Sequence, residues 1–270
     1  MSFKLFFLLS FVSSFAAHCA AQASAFEAGV FGEDRRQVIN SGQAPWRWIG
    51  RILRDGVPVC TAFVIGPRLV MTASHCIKRA EGQLRGSYIF SADMGGNRLK
   101  GQNFRPYLAD WVSWSDHKHV PGQWYYSDDF ALLRLKESLP EDFGYFNLAE
   151  NLPSIETTKF ISAGYPDHLG RMVHKSVDPS CTIHKASAYQ LFHDCGITRG
   201  NSGGPIFYKN ESGGYTAVGV VSTQYVYNIE GEIHAVYGEA FSLEKANVAS
   251  SIPEGFAWIK SAVTDLLSRP

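Results

Sequence analysis

Gly200-Asn201-Ser202-Gly203-Gly204-Pro205 decides how the rest of this chain is read. Small residues on both sides leave the Ser202 hydroxyl open, and glycine backbones let nearby amides converge on one point. The stretch has the form of a nucleophile beside a cradle for negative charge. Gly-Ser runs are also ordinary loops, and in a chain with 25 glycines this run does not by itself separate the two readings. The partners decide the matter.

A serine hydroxyl is a weak nucleophile near neutral pH. It needs a histidine to take its proton and a carboxylate to hold that histidine in the right tautomer. His75 ends the run Leu69-Val70-Met71-Thr72-Ala73-Ser74-His75-Cys76, where an apolar strand pattern gives way to small residues. Asp129 opens Asp129-Phe130-Ala131-Leu132-Leu133-Arg134-Leu135, a run that would carry its carboxylate into a buried edge. Asp128 competes with it; Asp129 is preferred because it directly precedes the apolar run, which leaves Asp128 as a solvated neighbour. A single histidine among nine is most simply a surface or hydrogen-bonded residue. Three motifs in the order His, Asp, Ser are much harder to obtain by chance.

Through Thr72-Ala73-Ser74-His75-Cys76, Asp129-Phe130-Ala131-Leu132-Leu133 and Gly200-Asn201-Ser202-Gly203-Gly204-Pro205, the chain resembles the chymotrypsin-like (trypsin-like) serine proteases over about residues 45–268. Phe31-Gly32-Glu33-Asp34-Arg35-Arg36 and Asn201 make it similar to the secreted bacterial branch that includes the glutamyl endopeptidases. The resemblance implies an all-β fold of two antiparallel six-stranded barrels, with His75, Asp129 and Ser202 as a triad in the cleft between them. It also implies a serine endopeptidase in which the Gly200 and Ser202 amides bind the oxyanion. Ser222 would stand behind the Asp129 carboxylate, and Ser222, Thr223 and Gln224 would pair with the substrate backbone. Gly196, Ile197, Arg199 and Val221 complete the expected substrate pocket, and disulfides are expected at Cys60–Cys76 and Cys181–Cys195.

Two rival readings are weaker. Gly200-x-Ser202-x-Gly204 also fits the nucleophile elbow of α/β-hydrolases, but that elbow runs from strand into helix, and here Gly203-Gly204-Pro205 leads into Ile206-Phe207-Tyr208, good strand and poor helix. That fold also places its acid and histidine after the serine, where only His234 is found. A catalytically silent pseudoprotease serving as a binding module would typically lack a triad member, and all three are present.

Composition and cysteine count agree with an exported enzyme. With 270 residues, 45% of them hydrophobic, the chain can bury a large core. Residues 1–23 carry the lone charge Lys4, an apolar stretch from Leu5 to Val12 and the small run Ala20-Ala21-Gln22-Ala23, which reads as a signal peptide. His18 before Cys19 does not suit a lipoprotein site. No later span approaches a transmembrane helix. The 25 basic and 25 acidic residues balance, with no basic stripe for nucleic acid. Once Cys19 leaves, the even set Cys60, Cys76, Cys181 and Cys195 suits an oxidising compartment, extracellular or periplasmic. His117-x-His119 and His193-Asp194-Cys195 are single short pairs that fall short of a zinc ligand set, so neither metal nor cofactor is expected. The expected partners are protein or peptide substrates, and the expected state is a monomer.

The expected layout is a signal peptide at 1–23, an N-terminal or pro segment at 24–45, a first barrel at 46–145 and a second at 146–270, with the division near 140–153. Strands are read at 48–53, 62–65, 87–90, 132–135, 160–163, 189–192, 205–208, 216–222 and 236–242. Phe256, Ile259, Val263, Leu266 and Leu267 recur at helical spacing, and Ser251-x-x-Glu254 reads as a capping box before them. Two departures from the resembled families bear on activation and specificity. Asn201 stands where the trypsin branch has the aspartate that receives a new N-terminal ammonium, so that ion pair is not expected. Gly196 stands where trypsin has its pocket aspartate, and Val221 where the glutamyl endopeptidases have a pocket histidine. A preference for uncharged, small or apolar side chains follows.

Overall fold

The computed structural model describes residues 29–39, 42–78, 86–94, 104–115, 128–167, 172–224, 226–229 and 232–270. The signal-peptide reading at 1–23 and the pair His117 and His119 lie outside them.

The first barrel comprises β1 (Ile49–Arg54), β2 (Val57–Gly66), β3 (Leu69–Thr72), β4 (Tyr88–Asp93), β5 (Phe104–Trp114) and β6 (Ala131–Leu135). It closes in the order β1-β2-β3-β6-β5-β4, with every pairing antiparallel. β3 and β6 are buried at every position, as mostly apolar runs bounded by turns should be, with Thr72 and Arg134 buried among them. Their register pairs Thr72 with Ala131. The residues that follow β3 and precede β6 therefore meet at one end of the barrel, and these are His75 and Asp129.

The second sheet comprises β7 (Phe160–Gly164), β8 (Lys175–Cys181), β9 (Ile183–Ser187), β10 (Gln190–His193), β11 (Pro205–Lys209), β12 (Tyr215–Thr223) and β13 (Asn247–Ser251). Its order is β9-β10-β13-β12-β11-β7-β8. Only Thr182 separates β8 from β9, so the two ends of the sheet are one continuous bent strand and the sheet rolls into the second six-stranded barrel. Thr182 is clasped there by Asp194, whose Oδ1 accepts from the Thr182 amide at 2.7 Å and whose own amide donates to the Thr182 carbonyl at 3.1 Å. The Cys181–Cys195 disulfide lies at the same corner. Gln37–Ile39 adds an edge to β8, and Val30–Phe31 pairs with Tyr237–Glu239.

Residues 136–159 join the barrels, and this connection is not a solvated linker. Phe146 is buried between the two, with ring centroids 5.7 Å from Phe63 in the first and 4.9 Å from Phe207 in the second. The Trp48 indole N–H donates to the Phe143 carbonyl at 2.6 Å.

The chain ends in helix α1 (Ile252–Ser268), which lies back across the first barrel, stacking Trp258 on Phe130 and offering its Leu266 carbonyl to Arg134 at 3.0 Å. Two expectations about it are corrected. Ser251 is the N-cap residue but makes no side-chain cap bond, because it is also the last residue of β13, paired with Gly219, and the pleat sets its side-chain direction. The buried face is Ile252, Gly255, Ile259, Ala262 and Leu266, while Leu267 is 55% exposed. The small residues on that face escape a search for large apolar side chains.

Strand ends differ as well. Trp48 belongs to a 3-10 turn, Tyr189 adopts φ +68° ahead of β10, and the strand within 236–242 is confined to Tyr237–Glu239.

Candidate active site

His75 sits in the 3-10 turn Ser74–Cys76, which the Cys60–Cys76 disulfide ties to β2. Asp129 is fully buried two residues before β6, its amide donating to the Ser250 hydroxyl at 2.9 Å. One of its carboxylate oxygens, Oδ2, lies 2.6 Å from His75 Nδ1 and accepts from Ser222 Oγ at 2.6 Å. The other, Oδ1, accepts from the His75 amide at 2.9 Å and from Ser74 Oγ at 2.8 Å. Burial alone pushes the carboxyl pKa up, but the facing His75 ring and the hydrogen bonds from His75 and Ser222 outweigh it. Asp129 is therefore held well below the usual carboxylate range. A carboxylate on Nδ1 fixes the tautomer whose Nε2 carries no proton and can accept one.

Asp128 does not reach His75. It is half-buried with φ +44°, its Oδ1 has no hydrogen-bond partner among the described residues, and burial pushes its pKa up, so it is not the solvated neighbour expected.

Ser202 comes from the second barrel, on the turn entering β11. The turn is laced to β12, with the Gly203 amide donating to the Val221 carbonyl at 2.7 Å and the Val221 amide to Gly204 at 2.8 Å. Gly203 has φ +82°, and a Cβ there would lie 2.0 Å from Thr72 Oγ1, so only glycine fits where this turn meets the first barrel. The Arg199 carbonyl accepts from the Asp167 amide at 2.8 Å. In a trans peptide the following N–H points the opposite way, and Gly200, at φ +97°, allows it. The Gly200 and Ser202 amides donate to no other described residue. Asn201 is satisfied locally, its Oδ1 accepting from the Thr198 amide at 3.2 Å.

His75 and Ser202 share two recesses. One, of about 330 Å³, is also lined by Ile197, Thr198, Arg199, Val221, Ser222, Thr223 and Gln224. The other, of about 430 Å³, runs along Val57–Cys60, Cys76 and Met172. The expected pocket residues thus come together apart from Gly196, whose amide donates to Asp178 at 2.8 Å and which packs against Arg36 outside that lining. The Arg199 side chain is 87% exposed and faces Asp167 at 3.7 Å. Among the described residues the one cluster of metal-ligating types is Cys60, His75 and Cys76, whose sulfurs are bonded to each other and offer no thiolate. Ser74, Ser250, Thr61 and Asp167 were not singled out by sequence reading. Ser74 lay inside the quoted His75 motif; nothing local marked the others.

Residues 36–243 match the family model described as Trypsin. The chain belongs to the trypsin family. Its trypsin-like fold is also seen in a solved Glu endopeptidase in complex with MPD (TM-score 0.63, 18% identity, 87% of this chain and 98% of that one). Neuropsin, a serine protease expressed in the limbic system of mouse brain, gives a TM-score of 0.59 at 18% identity, over 84% of this chain and 99% of that one. A glutamyl endopeptidase of Bacillus licheniformis is 27% identical over 183 residues, 67% of this chain and 54% of that protein. The chain thus matches about half the length of this curated relative. No helix among the described residues is long and apolar enough to cross a membrane.

Proposed function

We propose that this chain is an exported serine endopeptidase that cleaves peptide bonds through an acyl-enzyme. Ser202 Oγ attacks the scissile carbonyl, His75 takes the proton and returns it to the leaving amine, and Asp129 stabilises the imidazolium. The Gly200 and Ser202 amides bind the oxyanion, each such donor typically contributing about 3 kcal/mol. The observation that carries this reading is the fully buried Asp129 held 2.6 Å from His75 Nδ1, on a cavity that His75 shares with Ser202. A serine-directed fluorophosphonate should label Ser202, and Ser202→Ala or His75→Ala should remove casein hydrolysis by several orders of magnitude without loss of fold. Substantial activity in purified Ser202→Ala protein would overturn the assignment. A binding module without activity would neither label nor hydrolyse.

Maturation in this reading removes residues 1–23, leaves 24–45 as an N-terminal or pro segment, and delivers two barrel domains, 46–145 and 146–270, to an extracellular or periplasmic setting. The product is monomeric and acts on protein or peptide substrates. It does not form an ion pair at Asn201, whose amide is already engaged with Thr198. Ile197, Val221 and Thr198 in the pocket, with Arg199 turned outward, support acceptance of uncharged, small or apolar side chains before the scissile bond. The name of the Bacillus licheniformis relative points instead to glutamate. Cleavage-site profiling on a diverse peptide mixture separates the two, and a dominant preference for Glu, Arg or Lys would overturn ours.

A further inference from the structure

The loop that presents Ser202 contains a hinge at Gly200, held from within the loop by the Asn201 amide donating to the Thr198 carbonyl at 3.0 Å. Gly200 has no Cβ, and the peptides on either side of it must keep one orientation if the amides of Gly200 and Ser202 are to face a common point. The charge that could have pulled the loop into place from position 201 is missing, because that residue is a neutral asparagine bonded to Thr198.

Thr61, on β2 of the first barrel, meets this loop from outside. It is fully buried. Its hydroxyl donates to the Gly200 carbonyl at 2.7 Å and accepts from the Tyr165 amide at 2.9 Å. Its own amide donates to the Ser202 carbonyl at 2.9 Å, and its carbonyl accepts from Thr72 Oγ1 at 2.7 Å. One residue therefore holds the carbonyls on both sides of Asn201. Through Tyr165 it also anchors the segment whose Asp167 amide, two residues on, turns the Arg199 carbonyl away from the site. The hydroxyl is the only side-chain part of this bracket, and without it the Gly200 carbonyl and the Tyr165 amide would be buried without these partners.

We propose that Thr61 is a positioning residue for the reaction at Ser202: its hydroxyl fixes the rotation of the Gly200 peptides so that the oxyanion-binding amides are in place before substrate arrives. This rests on the reading of Ser202 as the nucleophile. Preorganisation of this kind acts in the transition state, so its loss should lower kcat and leave KM nearly unchanged.

The test compares wild type with Thr61→Val, Thr61→Ala and Thr61→Ser, each checked for a folded near-UV circular dichroism spectrum. The readouts are kcat and KM on a fluorogenic peptide taken from cleavage profiling, the inhibition constant of a matching peptide boronic acid, and the pH profile. Thr61→Val and Thr61→Ala should lose about 100-fold in kcat, in the range for one oxyanion donor. Their KM should stay within about threefold, boronate affinity should fall alongside kcat, and the apparent pKa of the rate should not move, since the contacts of Asp129 with His75 are untouched. Thr61→Ser should restore kcat to within about threefold of wild type.

A folded Thr61→Val with wild-type kcat would overturn the proposal, as would equal impairment in Thr61→Ser. If the valine and alanine variants both fail to fold, the hydroxyl is a stability element and the proposal is likewise overturned. A wild-type chain that neither hydrolyses casein nor labels at Ser202 overturns the nucleophile reading itself; an active wild type with any of the preceding outcomes overturns the role of Thr61 alone.

Discussion

Ser222, from the second barrel, donates its hydroxyl at 2.6 Å to the same oxygen of Asp129 that faces the His75 ring. The carboxylate of the first barrel thus has one lone pair tied across the cleft, and its alignment depends on both barrels holding their separation. Ser222→Ala removes a charge-assisted bond but leaves the three donors of Ser74 and His75. Kinetic assays should register a loss of about tenfold in kcat, at the low end for a hydrogen bond to a charged group, with KM little changed.

Asp129→Asn keeps the shape of the side chain while removing the charge that selects the His75 tautomer. A fall of about 10⁴ in kcat is expected, with thermal stability reported separately by calorimetry. Because the facing His75 ring and the hydrogen bonds from His75 and Ser222 outweigh burial and leave Asp129 with a depressed pKa, its contribution to stability is complete above about pH 5. It is lost as pH falls below the ordinary value of 3.8 toward the folded one.

His193 should dominate stability in mild acid. It is fully buried, neither ring nitrogen has a partner among the described residues, and burial pushes its pKa down to about 3, with Asp194 opposing and His184 adding to the shift. The unfolded chain binds this proton below about pH 6.5 and the folded chain does not, so stability falls as pH drops from 6.5 toward 3, by up to about 1.4 kcal/mol per pH unit from this residue. Urea titrations at pH 7 and pH 5 should show a smaller difference for His193→Phe than for wild type. An unchanged difference would remove His193 as the cause.

Much of the first barrel and the whole His75, Asp129, Ser202 set could be read from the sequence, because apolar runs ending in small residues coincide there with chemistry-bearing side chains. What escaped was polar and long-range. β8 reads Lys-Ser-Val-Asp-Pro-Ser-Cys, and its Lys175 and Asp178 are both buried, one against Asp93 and the other against Arg35. No periodicity reports a strand whose interior is charged. β13, Asn-Val-Ala-Ser-Ser, is fully buried through small side chains, and β5 has a single buried residue and carries Pro106. Thr61 acquires its role only when the two barrels meet, 139 positions away from Gly200 in sequence.

Lys175 offers a further test. Its ammonium has no exposed surface, lies 3.2 Å from Asp93, which also accepts from Tyr165 at 2.8 Å, and donates to the Trp46 carbonyl. Lys175→Met would leave Asp93 without its buried countercharge, and chemical denaturation should record a loss of about 3–5 kcal/mol. The double variant Lys175→Met with Asp93→Leu should recover part of it.

Removing the Cys60–Cys76 bridge should cost about 3 kcal/mol, as expected for a loop of its 16-residue span. Cys60→Ala with Cys76→Ala should also lower kcat, since the Cys76 sulfur lies 3.8 Å from His75 Nε2 and 3.9 Å from the Ser202 carbonyl. The equivalent change at Cys181–Cys195, a span of 14 residues, should cost similar stability with a smaller effect on rate.

A rolled sheet ordinarily has a line along which it can come undone. In the second barrel that line is crossed by Thr182 itself, with Asp194 bonded to it in both directions and a covalent bridge beside it. Solvent deuterium should therefore reach the amides of Thr182 and Asp194 later than those at the other end of the β9–β10 hairpin. Fraying should begin at the far end of the same hairpin, where Tyr189 stands 41% exposed, so that the barrel loosens from its tip and never from its join.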